Sequence, residues 1–208
     1  MTRKNVLKIV ELLEEIYPQA VCSLNYGKDY ELLFSARLAA QCTDERVNQI
    51  TPLLFERFPT LDAFAAAEVH DLEPLIHSCG LYRTKARDIA ACARKLVKDF
   101  GGKVPDTMEE LLTLPGVGRK TANLMLGDVF GKPAIVVDTH CIRLTNRFGL
   151  VKTKDPYKIE KQLLPVIPSE KSSDFCHRLV LHGRAVCTAR SPDCQNCGLT
   201  DVCEKHLG

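Results

Sequence analysis

Leu114-Pro115-Gly116-Val117-Gly118-Arg119-Lys120-Thr121-Ala122 decides how this 208-residue chain is read. Two glycines flank one valine, and a lysine follows two positions after the second glycine. Upstream, Asp106-Thr107-Met108-Glu109 has the form of a capping box, followed by Leu111, Leu112 and Leu114. The stretch is therefore expected to be a corner between two helices. Glycine turns a backbone tightly and lets it approach a ligand closely, because it has no Cβ and tolerates positive φ. A helix starting near Gly118 would offer unpaired backbone N–H groups and a positive dipole end, a pairing that suits phosphate. Lys120 would then stand in the first turn. A nucleotide-binding P-loop fails on spacing, since Arg119 separates Gly118 from Lys120 and the segment before it is helical rather than a strand. The plainer reading is a helical corner carrying a solvated lysine.

Working outward, the apolar period is helical nearly everywhere. Val6, Ile9, Val10, Leu13 and Ile16 line one face of a first helix. Tyr30, Leu33, Phe34 and Leu38 mark a second, with Asp29 as its expected N-cap. Further helices are expected at about 44–57, 61–67, 71–78, 83–99, 107–113, 119–129, 139–148, 156–164 and 172–187, with breaks at Gly and Pro positions between them. Only Ala134-Ile135-Val136-Val137 has strand composition, and it has no partner run. The expected class is all-α. No repeat or low-complexity linker marks a domain boundary.

Apolar residues make up 45% of the chain and charged residues 26%, as in an ordinary globular protein, and no apolar run approaches the roughly 18 residues of a membrane span. Met1-Thr2-Arg3-Lys4 leads into an amphipathic pattern carrying Glu11, Glu14 and Glu15, which is not that of a signal peptide, so a cytoplasmic protein is expected. The net charge of +2 does not by itself indicate a nucleic-acid partner. Its distribution is more informative: Arg119, Lys120, Lys132, Arg143 and Arg147 face only Asp128 and Asp138 across the segment that begins in the glycine corner.

Ten cysteines without a secretory signal argue against a disulfide framework. Cys22, Cys42, Cys79, Cys92, Cys141 and Cys176 lie scattered among apolar residues and are expected to be small core hydrophobes. Cys187, Cys194, Cys197 and Cys203 instead crowd together, among Pro192, Asn196 and Gly198. Four thiolates on so short a tether can wrap one centre, either zinc or an iron–sulfur cluster. His206 is close by, but four sulfurs already complete a ligand set.

Val136-Val137-Asp138-Thr139-His140 places a carboxylate at a helix start, where an N-cap is the plain explanation. Together with Lys120 it also makes a reaction set. A lysine attacks as the free amine, and a helix N-terminus, a neighbouring arginine and partial desolvation all favour that neutral form. A carboxylate stabilises positive charge developing on a substrate or moves a proton. Departure of a base from deoxyribose creates such a cation, so the pair suits glycosidic-bond cleavage followed by a Schiff base.

At this point the chain resembles the endonuclease III family of helix-hairpin-helix DNA glycosylases with associated lyase activity. The resemblance is carried by Leu114 to Asn123, Val137-Asp138-Thr139-His140, Leu181-His182-Gly183-Arg184, the spacing of the four cysteines, Ala40-Gln41-Cys42-Thr43-Asp44 and Gly80-Leu81-Tyr82. It implies that Lys120 attacks C1′ of the damaged nucleotide and that Asp138 assists loss of the base. Gly116 and Gly118 would clamp phosphate, with Arg119, Arg143 and Arg184 as further DNA-contacting residues. Gln41 and Leu81 would wedge into the duplex where a base has been extruded, offsetting lost stacking. Cys187, Cys194, Cys197 and Cys203 would ligate one 4Fe–4S cluster.

The implied fold is two all-α lobes with the active site in the cleft between them. One is a helical barrel over 22–132, with the helix-hairpin-helix at about 107–127; the other is a cluster lobe built from 1–21 and 133–208. The implied partner is double-stranded DNA containing a damaged base or an abasic site. The protein would act as a monomer associated with the nucleoid, without a membrane. Cys42 and Cys79 depart from the family pattern, which more usually has other small or aliphatic side chains there, and they bring oxidation-sensitive thiols to the wedge loops.

The function expected is removal of oxidised pyrimidines with cleavage 3′ to the abasic site by β-elimination. Adenine-specific mismatch relatives generally lack lysine at the position of Lys120 and carry an additional C-terminal domain. A G·T mismatch glycosylase differs only in pocket details. A non-catalytic DNA-binding or redox-sensing protein would keep the hairpin and the cysteines but would not need Lys120 and Asp138 together.

Overall fold

A computed structural model describes residues 3–205. His206 lies outside the described residues. Among the described residues, eleven α-helices and one short 3-10 turn, Ser169–Lys171, make up the regular structure, and no strand occurs. The chain divides into two compact units, Met1–Cys22 with Phe130–Gly208, and Ser23–Val129.

The inner unit holds α2 (Asp29–Leu38), α3 (Asp44–Arg57), α4 (Leu61–Ala66), α5 (Val69–Ile76), α6 (Tyr82–Phe100), α7 (Met108–Leu111) and α8 (Arg119–Asp128). Its core gathers one apolar face from each helix, including Leu33, Phe34, Leu54, Phe64, Leu72, Ile89, Leu111 and Met125. Phe64 is central: Phe34 and Phe58 pack on it at ring-centroid distances of 4.9 and 5.2 Å, within the range that favours tilted aromatic pairs. The 19-residue α6 runs through this core and ends at Gly101, whose left-handed φ of 59° lets the Gly102 N–H reach back to Leu96 O at 2.9 Å.

Two helix starts fall one residue from their expected places. Lys28, not Asp29, is the N-cap of α2, because Glu31 Oε2 turns back to accept the Gly27 and Lys28 N–H groups at 2.8 and 3.2 Å. The cap of α7 is Thr107, not Asp106: Thr107 Oγ1 accepts from the Glu110 N–H and donates to Glu110 Oε2.

The second unit packs α1 (Arg3–Ile16) and α9 (Thr139–Phe148) against α11 (Ser172–Ala185), with α10 (Pro156–Leu163) completing it. Ile9, Leu13, Leu144, Phe148, Ile159, Phe175 and Leu179 are buried there. Ala134–Val137 is buried but forms no strand. Two of its backbone donors bond to α11 instead, Ala134 N–H to Ser172 Oγ at 3.1 Å and Val136 N–H to Cys176 Sγ at 3.2 Å. Glu14 on α1 accepts from Lys171 Nζ at 2.6 Å and faces Arg178 Nη2 at 3.6 Å, so charge as well as apolar packing fastens the first helix.

No described helix is long and apolar enough to cross a membrane.

Candidate functional site

In the unit Ser23–Val129, α7 and α8 form a helical hairpin around Gly116. Gly116 has φ +76°, so its place in the turn suits glycine, and the Val117 N–H closes the turn onto Leu114 O at 3.1 Å. Space demands glycine as well: a Cβ there would lie 2.9 Å from Arg37 Cδ and Nε and from Asp88 Cβ. Gly118 differs. It is the N-cap of α8 in an ordinary extended conformation, and nothing lies within 4 Å of where its Cβ would be. Neither backbone strain nor packing within the chain calls for glycine at 118. Gly118 has no side chain with which to cap α8, and the helix begins at an exposed corner with the positive end of its dipole.

Lys120 sits in the first turn of α8 and is exposed. The placement agrees with the sequence expectation; the partial desolvation expected of it is not supplied by the chain in this state. Arg119, beside it, is half-buried.

Two loops of the same unit carry residues in the left-handed region. Gln41 has φ +55° and Leu81 has φ +60°, a conformation that costs a non-glycine residue about 1–3 kcal/mol. Both side chains are exposed, Leu81 at 59%. An apolar side chain held outward on a strained backbone has no role in the core. Behind these loops, Lys85 is fully buried and donates from Nζ to Leu38 O at 2.8 Å, capping the C-terminal end of α2. Burial pushes its ammonium below the usual lysine range. The sequence reading missed Lys85, whose position on the buried face of α6 was the available signal.

In the other unit, Asp138 is the N-cap of α9. Its Oδ1 accepts the Cys141 N–H at 2.7 Å, so the plain capping role is real. No hydrogen bond to Oδ2 forms among the described residues, which leaves one oxygen of a half-buried carboxylate for other partners.

Arg143, expected to contact DNA, is half-buried and bonded within the chain. Its Nη2 donates to His140 Nδ1, Gly183 O and Cys187 O, each at 3.1 Å, and burial holds its guanidinium below the usual arginine range. These bonds tie α9 to the end of α11 and to the first cysteine of the loop. Gly183 makes the arrangement fit, since a Cβ there would collide with His140 and lie 2.8 Å from Arg143 Nη2. Arg184, one residue on, is exposed.

Cys187 is buried, and Cys194, Cys197 and Cys203 are half-buried. Burial raises the Cys197 and Cys203 thiols, and the other cysteine sulfurs of the loop raise them further by like charge. The four sulfurs thus lie within electrostatic reach of one another, and full ionisation calls for a multivalent cationic centre. Among the described residues, no three His, Cys, Asp or Glu side chains close around a single-ion position. An iron–sulfur cubane, larger than one ion, does not require that closure.

The chain also supplies donors to the sulfurs. Arg147, 8% exposed, places Nη1 3.3 Å from Cys187 Sγ, and the Lys205 N–H reaches Cys203 Sγ at 3.3 Å. Arg147 further donates to Thr188 O at 2.7 Å and Ala189 O at 2.9 Å. His182, its imidazole pushed down to about 4 by burial, links Tyr17 Oη at 3.2 Å to Cys197 Sγ at 3.5 Å. The residues present fit a cluster of this kind. The sequence reading counted Arg147 only as one more cation; its i,i+4 spacing from Arg143 on α9 is what sets both against the cysteine loop.

Of the six scattered cysteines expected in the core, Cys79, Cys92, Cys141 and Cys176 are buried there, whereas Cys22 and Cys42 are only half-buried. Both lie in loop segments outside the helices, where the chain covers them less completely.

The family model for HhH-GPD superfamily base excision DNA repair proteins matches residues 34–169, and that for the iron–sulfur binding domain of endonuclease III matches residues 187–203. Endonuclease III of Synechocystis sp. is 48% identical over 97% of this chain and 92% of its own length. A solved structure described as a trapped endonuclease III–DNA covalent intermediate superimposes with a TM-score of 0.92 at 40% identity, covering 99% of this chain and 97% of that one. A thermostable thymine-DNA glycosylase shares the fold, with a TM-score of 0.87 at 23% identity over 97% of this chain and 96% of its own. One 4Fe–4S cluster is the cofactor. The chain belongs to the HhH-GPD superfamily of base excision DNA repair proteins, within its endonuclease III branch.

Proposed function

We propose that Lys120 is the nucleophile of this chain and Asp138 the carboxylate that assists base loss, in a reaction on oxidised pyrimidines. The enzyme is a base-excision-repair DNA glycosylase with associated abasic-site lyase activity, and DNA is its partner. The observation that carries the residue assignment is the start of α8 at exposed Gly118, where the positive end of the helix dipole and an exposed lysine share one turn. The N–H groups hold a backbone phosphate next to Lys120. Bound DNA then provides the desolvation that the free chain lacks at this amine.

In the first step the Nζ lone pair forms a bond to C1′ while the bond from C1′ to the base breaks, and the base leaves with its electron pair. Asp138 stabilises the positive charge that develops on the sugar. Opening of the sugar and loss of the amine proton give a Schiff base. Removal of a C2′ proton then expels the 3′ phosphate by β-elimination, and water releases Lys120. Cys187, Cys194, Cys197 and Cys203 hold the cluster, which when bound braces the loop beyond α11; Arg147 and Arg143 fix that loop from α9. Gln41 and Leu81 fill the gap left by the extruded nucleotide, and Arg119 and Arg184 supply phosphate contacts. Arg143 acts through the loop it holds. The protein works as a monomer on nucleoid DNA in the cytoplasm.

Borohydride reduction on abasic duplex DNA tests this reading. Wild type should be trapped as a covalent adduct and Lys120→Ala should not. No adduct from wild type, or an adduct from Lys120→Ala, would overturn it. A panel of single-lesion duplexes should show the fastest release from oxidised pyrimidines, and G·T mismatches released faster would replace that substrate class.

A further inference from the structure

Cys42 and Cys79 lie with their sulfurs 3.6 Å apart, although 36 residues separate them in sequence. They join the two strained loops of the inner unit. Cys42 directly follows Gln41, Cys79 stands two residues before Leu81, and both of those neighbours hold left-handed backbones. The loops touch here as well, since a Cβ on Gly80 would lie 3.7 Å from Gln41 O. We propose that Cys42 and Cys79 form a reversible disulfide, made by exchange with a low-molecular-weight disulfide, that locks the Gln41 and Leu81 loops together and weakens binding to abasic DNA.

The surroundings suit that chemistry. Cys42 is half-exposed and open to an oxidant, whereas Cys79 is wholly buried and shielded from it. Burial pushes the Cys79 thiol up to about 11, so Cys42 attacks first and Cys79 resolves. Against that rise, the buried Lys85 ammonium and Arg46 act on the Cys79 sulfur and favour its thiolate form. The Cys42 thiolate attacks one sulfur of the oxidant RSSR, giving a mixed disulfide and releasing RS⁻. Cys79 loses its proton and attacks Cys42 Sγ, expelling the second RS⁻. Two protein thiols are oxidised and RSSR is reduced to two RSH.

A disulfide bond is about 2.05 Å long, so the sulfurs must close by roughly 1.5 Å. That movement falls on the loops bearing Gln41 and Leu81 and shifts both exposed side chains.

The functional half of the proposal rests on Gln41 and Leu81 being duplex-contacting residues. The test uses the cluster-loaded protein, titrated with glutathione disulfide while the cluster's visible absorbance is followed. Crosslinked peptides are then read by mass spectrometry, and binding to a duplex with a tetrahydrofuran abasic analogue is measured. Wild type should yield a peptide pair joined through Cys42 and Cys79, and affinity should fall about tenfold or more, as a misplacement near 1 Å can cause. Dithiothreitol should restore both. Cys42→Ser and Cys79→Ser should form no such pair and keep the affinity of the reduced protein.

The proposal is overturned if glutathione disulfide modifies other cysteines while this pair stays uncrosslinked. Equal loss of affinity in Cys42→Ser and wild type, or a crosslink that leaves affinity unchanged, also overturns it. Leu81→Ala, measured reduced, separates the two readings: if it binds as tightly as wild type, the wedge role fails, whereas the peptide pair alone decides the disulfide.

Discussion

Arg37 and Asp88 meet on one carboxylate oxygen, with Nε and Nη2 at 2.7 and 2.6 Å, and their side chains fill the space where a Cβ on Gly116 would lie. The ion pair thereby forms a floor under the hairpin turn and joins α2 to α6 beneath it. Gly116 is constrained twice, by its positive φ and by this floor, whereas Gly118 is constrained by neither. Gly116→Ala should therefore cost about 1–3 kcal/mol in urea unfolding. Gly118→Ala should cost a fraction of that, yet still weaken binding to abasic duplex. Equal loss of stability in the two variants would mean that the floor does not act as described.

Asp138 performs two tasks that substitution can separate. Asp138→Ala removes the acceptor for the Cys141 N–H and should cost about 1 kcal/mol of stability. Asp138→Asn keeps an acceptor at Oδ1 but loses the negative charge. It should unfold near the wild-type midpoint and yet release a damaged base at least about tenfold more slowly. Wild-type base release from Asp138→Asn would leave capping as the only role of this residue.

Much of this was legible because the chain is locally consistent. Helical periodicity located every long helix to within a few residues, and Gly116, Gly118, Lys120 and Asp138 fell at the helix starts and turn where the sequence placed them. What escaped were long-range relationships. Nothing local in Arg37 or Asp88 says that they converge under a glycine 28 residues beyond Asp88. Arg143 and Arg147 read as cations facing a polyanion, and the bonds that both also make to the cysteine loop, to Cys187 O and Cys187 Sγ, were not visible in their local sequence. The one-residue slips at α2 and α7 share a cause. Several Asp, Thr and Glu residues compete for each cap, and the side chain that turns back on the backbone decides.

Arg147 should govern retention of the cluster without touching DNA. Its guanidinium serves Cys187 Sγ, Thr188 O and Ala189 O together. Arg147→Met preserves the stem but leaves those acceptors unpaired next to the sulfur ligands, at a cost of about 1–3 kcal/mol for a single buried acceptor. Iron and sulfide per chain should drop below wild type after mild heating, while Lys120-dependent trapping persists in molecules that keep the cluster. Full cluster retention in Arg147→Met would assign the loop's stability to the cysteines alone.

Glu14, Lys171 and Arg178 give one unit a defined pH signature. The hydrogen bond from Lys171 holds the Glu14 carboxyl below its ordinary value of 4.5, and the same bond holds Lys171 above 10.5. For the acid, the stabilisation is complete above about 4.5 and disappears as pH falls through the lowered folded value, since the unfolded chain binds that proton first. For the base, it is complete below about 10.5 and disappears as pH rises through the raised folded value. Glu14→Gln removes both arms. The difference in urea midpoint between wild type and Glu14→Gln should thus be flat near neutral pH and should shrink toward each extreme. Because both side chains are solvated, the difference should also narrow in high salt. A gap independent of pH and salt would show that Glu14 fastens α1 by packing and not by charge.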